Sequence, residues 1–170
     1  MSDQPNQTGA TGTYTIDGRP IGYTAITPFI VVNNPEEAIS FYESVFGAKA
    51  KNVTTMNVDG QPMIVHADLD FGCGYLQLGA ANPAFRLVLP PGDGNACYSL
   101  GVYVPDVDQT LARAVAHGAT VREPATTFVS GDRYASILDP CGIRWTIMTR
   151  VEDISEEESF RRVNEWSKTV

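Results

Sequence analysis

A pattern that occurs twice constrains this chain more than any other feature. Val32-Asn33-Asn34-Pro35 aligns with Val104-Pro105-Asp106-Val107. In each copy an apolar strand ends at a valine, a capping side chain follows (Asn34, then Asp106), and an apolar helical face begins. Ile39 falls on Leu111, and Gly47-Ala48 falls on Gly118-Ala119 after a one-residue gap in the helix. Chance gives caps alone. Caps, apolar faces and terminating glycines together indicate a duplicated unit, repeated after about seventy residues. That unit reads strand, helix, three strands.

In the first copy a strand is expected over 25–32, with Pro28 marking an edge or a bulge. Pro35 suits the first helical position, Glu36 and Glu37 complement the positive end of the dipole, and Ala38, Ile39, Tyr42, Val45 and Phe46 form one face. Strands follow near 51–57, 63–70 and 75–78, punctuated by Asp59-Gly60 and Gly72-Cys73-Gly74. In the second copy a strand over 98–104 precedes a helix with Val107, Leu111, Ala114 and Val115 on its apolar face. Strands near 120–122, 126–129, 133–138 and 143–149 complete it. The expected organisation is one domain, 1–170. It comprises a flexible arm at 1–24 with a hairpin around Asp17-Gly18, a first module at 25–81, a linker at 82–95, a second module at 96–150 and a C-terminal helix at 151–170. Ser155 and Glu158 have capping-box spacing, and Phe160, Val163 and Trp166 need a surface to pack on. The fold class is therefore α+β: two tandem βαβββ modules whose curved mixed sheets enclose a cavity, plus a C-terminal helix. Each helix covers one sheet face. The other face must be buried by the second half or by a partner, and the concavity between the halves suits a small ligand.

Composition removes other classes. The net charge of −8 disfavours a nucleic-acid or anionic-membrane partner. Acids at Glu152, Asp153, Glu156, Glu157 and Glu158 read as a solvated helix start. No apolar run has membrane-spanning length and 1–13 lacks the layout of a secretion signal, so a cytoplasmic location is expected. The three cysteines, Cys73, Cys97 and Cys141, form no CxxC pair and are expected as buried or half-buried free thiols. No Gly-x-Ser-x-Gly elbow is present, and Gly72-Cys73-Gly74 is too short to cradle a phosphate. Cys141, in a tight Asp-Pro-Cys-Gly turn, reads as a structural filler rather than a nucleophile.

The stretch Thr27-Pro28-Phe29-Ile30-Val31-Val32, with Ala38-Ile39-Ser40-Phe41-Tyr42 and Phe46-Gly47-Ala48, resembles the first module of the glyoxalase/bleomycin-resistance/dioxygenase proteins, the vicinal oxygen chelate superfamily. Gly131-Asp132-Arg133-Tyr134 and Asp139-Pro140-Cys141-Gly142-Ile143-Arg144-Trp145 are similar to the ending of its PhnB-like branch. The resemblance covers roughly 25–152 and implies a homodimer. Family enzymes place metal ligands early in each module's first strand and in each last strand. Carried over by position, these are Thr27, Gln77, Ser99 and Thr146. Strongly donating imidazole or carboxylate is absent from that quartet, so no catalytic metal and no other cofactor is expected. His66 and Asp68 read as the solvent side of a half-buried strand in preference to a metal pair, and His117 as a helix-end group.

If the ligand positions face inward, strand alternation places Thr27, Phe29, Tyr75, Gln77, Ser99, Tyr103, Arg144, Thr146 and Met148 on the lining, with Trp145 and Ile147 packed against helices. An aromatic lining with hydroxyls, an amide and one guanidinium suits an aromatic or amphipathic small molecule. Arg144 has two readings, an anion-binding group or the internal partner of Asp132 or Asp139. Asp132 and Arg133 read as a turn-stabilising pair. The expected function is metal-independent small-molecule binding. The alternatives are a vicinal oxygen chelate enzyme of the lyase, isomerase or dioxygenase type, and an interaction module with a vestigial pocket.

Overall fold

The computed structural model describes residues 8–58 and 60–169; the first seven residues of the arm and Asp59 of the Asp59-Gly60 turn lie outside them. A short hairpin, β1 (Thr15–Ile16) and β2 (Arg19–Pro20), turns at Asp17-Gly18. The first module follows as β3 (Phe29–Val32), α1 (Pro35–Phe46), β4 (Lys49–Val58), β5 (Gln61–Asp70) and β6 (Tyr75–Ala80). The second is β7 (Leu100–Tyr103), α2 (Val107–Ala116), β8 (Thr120–Thr127), β9 (Asp132–Leu138) and β10 (Arg144–Arg150), and α3 (Glu156–Trp166) ends the chain. The sheets have orders β3-β6-β5-β4 and β7-β10-β9-β8, and in each the first strand pairs parallel with the last. The duplication expected from the sequence is thus realised strand for strand.

Local chemistry starts and stops the helices where the repeat requires. Asn34 and Asp106 accept the amides of Glu37 (3.2 Å) and Gln109 (2.9 Å), and Gly47 ends α1 in the left-handed region at φ 70°. His117 ends α2, its Nδ1 lying 2.9 Å from the Arg113 carbonyl oxygen. Alternation then builds one core: Ile30, Val32, Leu69 and Leu78 point to the helices from the first sheet, and Ile137, Trp145 and Ile147 from the second. Each such buried side chain contributes about 1.5–3 kcal/mol.

The modules are fastened across this core by a buried carboxylate. Asp139 accepts the Tyr42 hydroxyl at 2.5 Å, Trp145 Nε1 at 3.1 Å, and the amides of Cys141 and Ile143 at 2.9 Å each. Tyr42 belongs to α1, the two amides to the β9–β10 turn and Trp145 to β10, so the closing Asp-Pro-Cys-Gly motif grips the first module. Desolvation pushes the Asp139 carboxyl above its ordinary range despite these four donors. Phe46 packs 4.9 Å from the Trp145 ring, and Arg113 Nη2 donates to the Val45 carbonyl at 3.2 Å.

Several expectations are corrected. The first strands are shorter than read, beginning at Phe29 and Leu100. Pro28 has no N–H to donate; only its carbonyl joins the sheet, accepting Gln77 N–H at 2.8 Å. The two short strands read near 120–129 are one, β8, which crosses Pro124 with register irregularities because it is an edge strand. Cys73 and Cys97 are exposed rather than buried, since both stand in connecting segments; Cys141 alone is buried. Arg133 bonds Asp108 at 2.7 Å while Asp132 bonds Arg150 at 2.9 Å, because successive strand residues point to opposite faces and cannot pair. On α3, Trp166 meets the edge of Phe128 at 4.9 Å, whereas Phe160 stays in water. Its acids are not merely solvated: Glu158 binds Arg161 and Arg162, whose guanidinium groups draw its pKa down to about 2.

Candidate ligand-binding face

The helices cover one face of each sheet, and the chemistry lies on the other. In β5, Ala67 and Leu69 point to the core, so His66, Asp68 and Asp70 emerge opposite. Register sets Asp68 beside Gln77, Asp70 beside Tyr75, and Phe29 beside Gln77. On β4 the pairing slips between Lys51 and Thr54, and Asn52 takes a left-handed φ of 50° there. This bulge accompanies the turn of its amide onto Asp68.

Asp68, read from the sequence as solvent-facing, is only 4% exposed. It accepts Asn52 Nδ2 (2.8 Å), Gln77 Nε2 (2.9 Å) and the hydroxyl of Tyr23 (2.7 Å), with His66 Nε2 at 3.4 Å. Tyr23 comes from the N-terminal arm. Its ring lies on Tyr75, centroids 4.0 Å apart and planes within 8°, and its carbonyl accepts the Arg19 guanidinium. The arm is therefore a strap laid over the first module's open face. Neighbouring Lys51 bonds Asp70 at 2.6 Å, and Phe29 stacks near His66 at 6.0 Å.

Desolvation opposes the charge on Asp68, but the donors from Asn52, Tyr23 and Gln77, with His66 nearby, hold its pKa below the ordinary 3.8. The Tyr23 hydroxyl, donating to that carboxylate, is raised above 10.0. Linkage fixes the signs. Asp68 stabilises the folded arrangement above its ordinary pKa and loses this as pH falls through the folded value; Tyr23 does so below 10.0 and loses it as pH rises through its own. The strap is expected to hold across neutral pH and to loosen at both extremes. Tyr75 ring resonances, displaced by the Tyr23 ring stacked at 4.0 Å, should lose that displacement in NMR spectra as pH is lowered, whereas in Tyr23→Ala it should be missing at every pH.

The second module's open face is different. Ser99 and Thr146 share a hydrogen bond of 3.0 Å. Arg144 donates to Ser136 Oγ (3.2 Å) and Glu123 (2.7 Å), so it has an internal partner, but neither Asp132 nor Asp139. Asp139 is committed on the helix side, and Asp132 sits at the other end of the β9–β10 pair, opposite Arg150. The Met148 methyl lies over Gly101, where an added Cβ would stand 3.0 Å away.

Two hollows open along the seam between modules, and the repeat relates them. One, of about 490 Å³, sets Thr24, Pro28 and Tyr75 against β7 through Tyr103, with Phe46 and Trp145 in its lining. The other, about 420 Å³, sets Phe29 and Val31 of β3 against Tyr98, Ile143 and Arg144. The structure thus brings Tyr75 and Tyr103 to one hollow and Phe29 and Arg144 to the other. Gln77 is held by Asp68, Ser99 and Thr146 by each other, and Thr27 Oγ1 donates to the Thr24 carbonyl at 3.2 Å. Sequence reasoning misses Tyr23 and Asn52 and misreads Asp68; the in-phase run His66, Asp68, Asp70 is the available signal. Among the described residues no three His, Cys, Asp or Glu side chains gather to hold a metal, and no helix is long and apolar enough to cross a membrane.

Two βαβββ modules, each with one helix-covered and one open sheet face, define a duplicated α+β fold. The family model of the Glyoxalase/Bleomycin resistance protein/Dioxygenase superfamily matches residues 21–147, and the chain belongs to that superfamily. The uncharacterized protein Rv0887c of Mycobacterium tuberculosis is 28% identical over 137 residues, covering 79% of each chain. Protein PA1353 of Pseudomonas aeruginosa is similar in structure with a TM-score of 0.61 and 23% identity, over 75% of this chain and 98% of that one. A Bacillus cereus PhnB protein, described as a putative 3-demethylubiquinone-9 3-methyltransferase, superposes with a TM-score of 0.57 and 18% identity, over 74% and 99%. At these identities the two structures support the fold alone.

Proposed function

We propose that the protein binds an aromatic or amphipathic small molecule on the open faces between its modules, without a metal. The observation that carries this reading is the state of the four positions where family enzymes hold a metal. Thr27, Gln77, Ser99 and Thr146 offer only neutral oxygens; Gln77 gives its Nε2 to Asp68, and the Ser99 and Thr146 hydroxyls bond each other. Such a set does not repay the dehydration of a divalent cation, so these residues do not fit the family's metal. Aromatic and apolar walls remain, from Phe29, Tyr75, Tyr103 and Trp145, around hollows whose size suits a small organic molecule. The homodimer belongs to the same proposal: Val53 and Met56 on edge strand β4 and Val121 on edge strand β8 stand in water, where a second copy would cover them.

A thermal-shift titration tests the reading. Zinc, manganese, nickel and ferrous ions should leave the melting temperature unchanged, while members of an aromatic compound panel raise it by mass action. One ion bound per chain with a marked shift, lost on mutating Gln77, would replace this reading with an enzymatic one. A monomer by light scattering at micromolar concentration would remove the dimer.

A further inference from the structure

The Tyr23 strap does to the open face what a ligand would do. It lays a flat ring on Tyr75 at 4.0 Å and 8°, and points one hydrogen-bond donor at Asp68, 2.7 Å away. The carboxylate beneath it is 4% exposed, yet its closest donors, Asn52, Gln77 and Tyr23, are all neutral. His66 at 3.4 Å brings charge only if protonated, and the nearby Lys51 is bonded to Asp70 instead. A buried anion solvated by neutral dipoles gains most from a cationic donor. The strap itself holds on lightly: β1 and β2 are two residues each, and the hairpin's Tyr14, Ile16 and Ile21 stand in water.

We propose that Tyr23 occupies, from within its own chain, the place of a planar aromatic ligand bearing a cationic nitrogen donor, which displaces the strap, stacks on Tyr75 and donates to Asp68. This rests on the ligand-binding reading above and names the ligand class it serves. The strap is then a built-in competitor. Ligand affinity is set by the difference between two occupants of one place, and removing the internal one strengthens the external one. The acidic protein attracts such a cation from a distance as well.

The test uses the full chain and proflavine, a planar fluorescent acridine with amino donors and a positive charge at neutral pH. Polarisation titrations should show one site per chain. Tyr23→Ala should tighten binding about tenfold, the factor equivalent to about 1.4 kcal/mol of lost competition. Tyr23→Phe, which keeps the ring and removes the donor, should fall between that variant and the unaltered chain. Asp68→Asn should weaken binding about tenfold or more, as expected when a charge-assisted contact becomes neutral. Planar, anionic 9-anthracenecarboxylate should not bind. Hydrogen exchange at residues 12–23 should quicken when proflavine is added.

Unchanged or weaker binding in both Tyr23 variants overturns the proposal. So does equal binding of the anionic probe, or absence of proflavine binding in every variant. If Asp68→Asn fails to fold, the two Tyr23 variants decide between the outcomes. If these arms fail while another aromatic compound raises the melting temperature, the general binding reading survives and this one does not; if neither occurs, both fall.

Discussion

Asp139→Ala is expected to lower unfolding free energy by at least about 3 kcal/mol, because each buried donor left without an acceptor costs roughly 1–3 kcal/mol. Four donors lose their partner at once: the Tyr42 hydroxyl, Trp145 Nε1 and the amides of Cys141 and Ile143. Two of them hold the Asp-Pro-Cys-Gly turn and one reaches from α1, so the damage spreads from a turn to the junction of the modules. Tyr42→Phe isolates the junction. It keeps the ring against Phe46 and Trp145 and removes one hydroxyl, for an expected loss of about 1–2 kcal/mol. Urea unfolding followed by far-ultraviolet circular dichroism measures both. A loss below about 1 kcal/mol in Asp139→Ala would mean that water replaces the carboxylate and that Asp139 does not fasten the modules.

Gly79→Ala should cost about 1–3 kcal/mol through overpacking, although alanine is the smallest possible addition. The position lies on β6 in phase with Tyr75 and Gln77, facing the open side. A Cβ there would stand 2.2 Å from the Val65 carbonyl oxygen and 3.0 Å from Phe29 Cζ. The backbone oxygen cannot swing away as a side chain would, so β5 and β6 must separate locally. Phe29, already 37% exposed, would be lifted from the sheet. The variant should therefore lose both melting temperature and aromatic-ligand affinity, the second by more than Gly101→Ala does. At Gly101 the obstructing atom is the flexible methyl of Met148 at 3.0 Å.

Much of this architecture is encoded over short distances along the chain. Asn34 and Asp106 cap helices through amides three residues ahead, and the apolar faces repeat every turn, so the duplication and its helices are readable from residue order. Alternation likewise assigns Trp145 and Ile147 to the core, where both are found. What covers the opposite face is not local. The run His66, Asp68, Asp70 indicates a shared side of β5 but not that Tyr23, 45 positions earlier, lies over it. Asn52 reaches Asp68 through a bulge, a departure from the two-residue period that the pattern itself cannot announce. Arg144 shows the same limit: its acid is Glu123, on the far strand β8. The four positions that the family resemblance assigns by counting along the strands, Thr27, Gln77, Ser99 and Thr146, are neutral, and residue type alone says so.

The protein contains two tryptophans, and the fold places them at opposite ends of its mechanical life. Trp145, 3% exposed, emits from the joint between the modules, whereas Trp166, 41% exposed, emits from the tail where it touches Phe128. A water-soluble quencher should extinguish the red-shifted tail signal first and leave the blue one until the halves part. Substituting Trp166 by phenylalanine would turn the remaining indole into an optical gauge of inter-module separation. Neither indole stacks on the strap, whose ring contact is between two tyrosines, Tyr23 and Tyr75.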